Sequence, residues 1–166
     1  MKIVSSFILS LVILSCSQNK SHSNAVLKKL DKAWLDSIIK NSDSSYTKPY
    51  KRSDFVTAEF YLNKKDSSVC QVMKDSAGII RQIIVAKKDI RSFFASYYSN
   101  GQLQAGLPLD EFGQYHGAAI YFYQDGMVES KGEYVHGVKN GQWKSYDANG
   151  GIISTDTYDK NGQIVK

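Results

Sequence analysis

The chain changes its hydrophobic period near residue 55. From Phe55 onward apolar side chains recur at every second position, with Val56, Ala58, Phe60 and Leu62 alternating with Phe55, Thr57, Glu59 and Tyr61. Period two is the pattern of a strand with two unlike faces. Similar runs cover 69–74, 79–87, 90–98 and 102–107, separated by turn signals at Asn63 to Ser67, Asp75-Ser76-Ala77-Gly78, Lys88-Asp89 and Ser99-Asn100-Gly101. Short turns between consecutive strands predict an antiparallel meander. Upstream the period is helical: Val26, Leu27, Leu30, Ala33, Trp34 and Ile38 fall on one stripe, with Lys28, Lys29, Lys32 and Asp36 opposite. A helix is therefore expected from Ala25 to about Lys40, capped by Asn24 and docked on its own sheet. Residues 41–54 are polar, contain Pro49 and read as a connection.

The strand pattern is itself repeated. Gly117-Ala-Ala-Ile-Tyr-Phe-Tyr-Gln-Asp-Gly126 and Gly141-Gln-Trp-Lys-Ser-Tyr-Asp-Ala-Asn-Gly150 share the spacing of their glycines. Downstream, Val128, Ser130, Gly132 and Tyr134 match Ile152, Ser154, Asp156 and Tyr158 in the same way. Tyr98-Ser-Asn-Gly101 supplies an earlier copy and Asp75-Ser-Ala-Gly78 a degenerate one. Each unit is a strand, a tight turn and a return strand, which buries its face only against its neighbours. Turns are expected at Gly78, Gly101, Gly126, Gly150 and Gly162. Asn-Gly and Asp-Gly suggest hairpin turns in which both central residues take positive φ.

Gly141, Trp143, Tyr146, Asn149 and Gly150, with Tyr134 and Gly137 of the preceding unit, resemble the bacterial MORN-like repeat of the YwqK family. The resemblance covers about 97–164 and implies a mainly β fold, an antiparallel meander of hairpins. It also implies an antitoxin-like role, in which the protein neutralises a partner. The chain departs from the repeat at Leu107-Pro108-Leu109-Asp110-Glu111-Phe112, a long return before Tyr115-His116-Gly117, and at Ala119, which stands where the next unit has Trp143.

The N-terminus changes the picture of where this sheet would act. Lys2 precedes an apolar run, Ile3 to Leu14, and Ile13-Leu14-Ser15-Cys16 resembles a lipobox. The run is too short for the roughly 20 residues of a membrane-spanning helix and reads as a signal segment. Residues 1–15 are thus expected to be removed, Cys16 to be lipidated and 16–23 to form a tether. Residues 24–54 hold the helix and connection, and 55–166 the repeat domain. Two or three acyl chains would hold the protein on a membrane almost permanently. Without an acidic cluster after Cys16, the expected location is the outer membrane, facing the periplasm.

Composition adds little beyond this. The formal charge of +5 is spread over pairs such as Lys28-Lys29, Lys64-Lys65 and Lys87-Lys88 and does not point to nucleic acid. Once Cys16 is lipidated, Cys70 has no partner for an intramolecular disulfide and reads as a small buried apolar residue. Eleven tyrosines and seven phenylalanines against two prolines suit aromatic cross-strand pairs.

Candidate chemistry is sparse. His22 lies in the tether, while His116 and His136 each precede a turn glycine, where histidine tolerates left-handed geometry. No cysteine or carboxylate stands beside either at ligand spacing, so no metal is expected. Asp147 to Ile152 and Asp159 to Ile164 imitate part of a calcium loop but lack its first carboxylate, and read as hairpin turns. Asp110-Glu111 reads as a solvated loop pair, not an acid/base couple. No nucleophile or phosphate-binding motif is present. The expectation is a non-enzymatic envelope lipoprotein, without cofactor, that binds a protein or envelope polymer through Tyr121, Tyr123, Trp143 and Tyr146.

Overall fold

The computed structural model describes residues 32–52 and 55–165. Cys16, the signal segment, the tether and the start of the expected helix lie outside the described residues. Helix α1 spans Lys32–Lys40. Eleven strands follow: β1 Ser44–Arg52, β2 Phe55–Asn63, β3 Ser68–Lys74, β4 Ile80–Lys87, β5 Ile90–Tyr97, β6 Leu103–Pro108, β7 Gly117–Phe122, β8 Val128–Val135, β9 Val138–Tyr146, β10 Ile152–Tyr158 and β11 Ile164–Val165. All eleven form one antiparallel sheet in sequence order, the expected meander.

One segment differs from its reading. Residues 44–52 are not a connection but the edge strand of the sheet, with Ser44 opposite Leu62 and Pro49 opposite Thr57. Proline cannot donate to a ladder and is accommodated at an edge. In place of aliphatic alternation, β1 uses Tyr46, whose ring stacks on Phe60 at 4.7 Å, with the Lys48 ammonium 5.2 Å from the Tyr46 ring centre.

The turns also differ in type. At Gly78, Gly101, Gly126, Gly150 and Gly162 only the glycine has positive φ. Each glycine N–H donates to the carbonyl three residues back, as from Gly150 to Asp147 at 3.0 Å, and Asp147 N–H donates to Gly151 O at 2.8 Å. This is a type I turn closed by a left-handed glycine bulge, not the primed turn expected from Asn-Gly. Asp75, Asp147 and Asp159 brace their turns by accepting backbone N–H groups on Oδ1. The primed geometry occurs instead at Lys88-Asp89 and His136-Gly137, where both residues have positive φ.

The sheet buries different faces in its two parts. Directly opposed residues of antiparallel strands point to the same side. Through the pairs Cys70–Val85, Val72–Ile83, Ile83–Ala95 and Val85–Phe93, one face gathers a core of Cys70, Val72, Ile83, Phe93 and Ala95. Trp34, Leu35 and Ile38 of α1 cover it, with Trp34 edge-on to Phe93 at 5.6 Å. The next residue, Phe94, opposes Leu107 and points the other way. It joins a second core of Ala105, Leu107, Ala119 and Trp143, flanked by Tyr121, Tyr134 and Tyr158. The clustered core changes face across β5 and β6, while Met73 in β3 and Ile120 in β7 are each buried on the face opposite their local cluster.

Candidate functional site

The four aromatic residues expected to meet a partner are largely used by the fold. Trp143 is 3 % exposed and lies against Gly132, its indole N–H donating to Glu133 O at 3.0 Å. Tyr134 meets it edge-on at 5.0 Å and Lys139 caps it, with Nζ 4.3 Å from the ring centre. Tyr121 is half-buried and shares a 3.2 Å hydrogen bond with Tyr134 Oη. Burial first, then that bond, pushes its phenol far above the usual range. The expectation that Trp143 presents contact area is therefore corrected. Tyr123 and Tyr146 are half-buried, and Tyr123 Oη donates to Tyr146 O at 2.7 Å. Tyr98 Oη to Phe122 O at 2.8 Å is the same tie one repeat earlier. The period of the sequence is thus a period of hydrogen bonds between successive turns.

The opposite end of the sheet holds a feature that sequence spacing concealed. The long β6–β7 return is itself an Asp-x-x-Gly turn. Gly113, at φ 76°, donates to Asp110 O at 3.0 Å, and Asp110 Oδ1 accepts the N–H groups of Phe112 and Gln114 at 3.0 and 2.9 Å. That fixes the carboxylate and leaves Oδ2 aimed at His136 Nδ1, 2.8 Å away. The Asp110 side chain is only 4 % exposed. It is not the solvated partner of Glu111 that adjacency suggested, although Glu111 itself is exposed. Desolvation opposes its charge, but the Gln114 N–H, His136 and the Phe112 N–H outweigh it and hold the carboxyl below its usual value.

His136 sits in the β8–β9 turn with φ 48°, and its backbone N–H donates to His116 Nδ1 at 3.4 Å. The two imidazole centres are 4.9 Å apart. A bond from Gly137 N to Tyr115 O (2.8 Å) joins the two loops, and one from His116 N to Pro108 O (3.0 Å) closes the β6–β7 return on itself. Asp110, His116 and His136 each offer a donor atom within 4.8 Å of the other two. The reason given for expecting no metal, the lack of a carboxylate beside the histidines, does not survive folding. An open cleft of about 410 Å³ adjoins His136 and is lined by Arg91, Phe94, Leu109, Gln114, Tyr115 and Val138. The legible signal was the Asp-x-x-Gly spacing of Asp110 to Gly113, shared with Asp147 to Gly150.

Stacked hairpins on a period of about 24 residues, tied turn to turn, define a β-repeat protein. The repeats are MORN-like: residues 115–136 and 139–160 match the MORN repeat variant. No curated protein matches the chain closely enough to count as a relative.

Proposed function

We propose that the chain is a non-catalytic binding protein, held at the cell envelope by a lipid on Cys16, whose MORN-like sheet engages a protein or envelope-polymer partner. The observation that carries this reading is the pair of matched repeats, since repeats of this kind build a surface and not a reaction centre. The lipobox-like Ile13-Leu14-Ser15-Cys16 supports the anchor. With Trp143 in the core and Tyr121 packed against it, Tyr123 and Tyr146 are the contact residues that remain of the four. Rigid aromatic side chains give contact area at little entropic cost.

Cross-linking in envelope membranes followed by capture should recover one saturable partner. The double change Tyr123→Ala with Tyr146→Ala should weaken capture by more than the loss of thermal stability from the Tyr123–Tyr146 tie accounts for. Mass spectrometry should find no peptide from 1–15 and an acylated Cys16. An unmodified protein in the soluble periplasm, or capture indifferent to the sheet, would overturn the reading. Resemblance to YwqK proteins supports a narrower version in which the partner is a toxin met in the periplasm, and a toxin in the cross-linked complex would establish it.

A further inference from the structure

The geometry points to a binding site for one divalent transition-metal ion of the zinc class, formed by Asp110, His116 and His136 where the repeat is interrupted. Three features build it. Asp110 is held by two backbone N–H groups on Oδ1, so Oδ2 is the oxygen left to a ligand. His136 Nδ1 already stands 2.8 Å from that oxygen. His116 Nδ1 accepts a long 3.4 Å bond from the His136 N–H, which brings the imidazole to the same place.

Donor atoms around a tetrahedral zinc ion, with bonds of about 2.0–2.1 Å, lie roughly 3.3–3.5 Å apart. The three donors lie within 4.8 Å of one another. Closure therefore needs about 1 Å of side-chain movement, and the His136 side chain, 57 % exposed, is free to make it. Two imidazoles and one carboxylate suit a borderline cation such as zinc, whereas magnesium and calcium take oxygen ligands. The cleft beside His136 leaves room at a fourth position for water or an anionic group, with Arg91 in its wall.

The inference is independent of the binding reading above and is tested on purified, tag-free, chelator-treated protein. Calorimetric titration with zinc chloride should show one ion bound per chain, with magnesium chloride giving no comparable signal. The substitutions Asp110→Asn, His116→Asn and His136→Asn should each weaken binding at least about tenfold, the least that even outer-shell changes cost a metal site. Asparagine is chosen because it keeps the turn acceptor at 110 and tolerates positive φ at 136. His22→Asn should bind like the parent. One equivalent of zinc should also shift the imidazole NMR signals of His116 and His136 in the unsubstituted protein, a readout that needs no variant to fold. Unmoved signals, zinc binding unchanged in the three variants, or an equal response to magnesium would each overturn the site and leave Asp110–His136 as an ion pair closing two loops.

Discussion

In β2 to β5 the buried side chains are chiefly aliphatic, Val72 and Ile83 with Cys70, and a separate element, α1, covers them. In β6 to β10 the clustered side chains point to the other face and are covered by their own neighbours: Tyr121, Tyr134 and Tyr158 surround Trp143, with Lys139 laid across it, while Ile120 is buried on the first face. Large aromatic rings and lysine stems can cover one another, which is how the repeat part dispenses with a helix. The repeat constrains this arrangement tightly, because Trp143 fits only where the facing strand has no Cβ.

The largest effect should come from removing that ring. Trp143→Ala is expected to cost about 3–5 kcal/mol, read from chemical denaturation, with hydrogen exchange accelerating in β7 to β10 more than in β3 and β4. Uniform acceleration would show that the two parts open together. Gly132→Ala comes next, since its new methyl would collide with the Trp143 ring. A cost of about 1–3 kcal/mol is expected, and a neutral result would mean that the indole does not lie on that strand.

A pH scan loads both parts, since Tyr121 is shifted in the same direction, but its Cys70 share belongs to the helix-covered core. Burial pushes the Cys70 thiol up from 9.0 to about 12, and burial followed by the Glu59 hydrogen bond pushes Tyr61 from 10.0 to about 12. Both groups border the helix-covered core. Because the unfolded chain ionises first, their stability contribution is present below pH 9 and is lost as the pH rises toward 12. Urea midpoints should fall over that window, and Cys70→Ala should reduce the fall. The smallest effect is expected at Lys139→Ala, about 0.5–1 kcal/mol, from the lost contact with the Trp143 face.

The two parts were also unequally legible in sequence. Strands β2 to β6 announced themselves through alternation and β7 to β10 through the repeat, because both patterns are local. β1 was hidden: Ser44 to Arg52 lacks the aliphatic alternation of its neighbours, and its aromatic contacts, Tyr46–Phe60 and Tyr50–Phe55, depend on residues from another strand. Glycine positions marked the turns but not their type. Asn-Gly suits a primed turn in isolation, whereas here the residue three before the glycine supplies the closing carbonyl. Trp143 read as a surface anchor because alternation shows that a strand has two faces without showing which is buried, and the answer reverses at Phe93 and Phe94. The Asp110–His136 contact spans 26 residues and two loops, so only the pairing of β7 with β8 reveals it.

The two clustered cores lie on opposite faces of the sheet, and each holds a tryptophan that reports on it directly. An isotope-edited NOE experiment on the labelled protein should connect the Trp34 indole with Phe93, and the Trp143 indole with Tyr121, Tyr134 and Tyr158, with no side chain seen by both indoles. A contact from Trp34 to Phe94 or Leu107 would put both cores on one face and contradict the account.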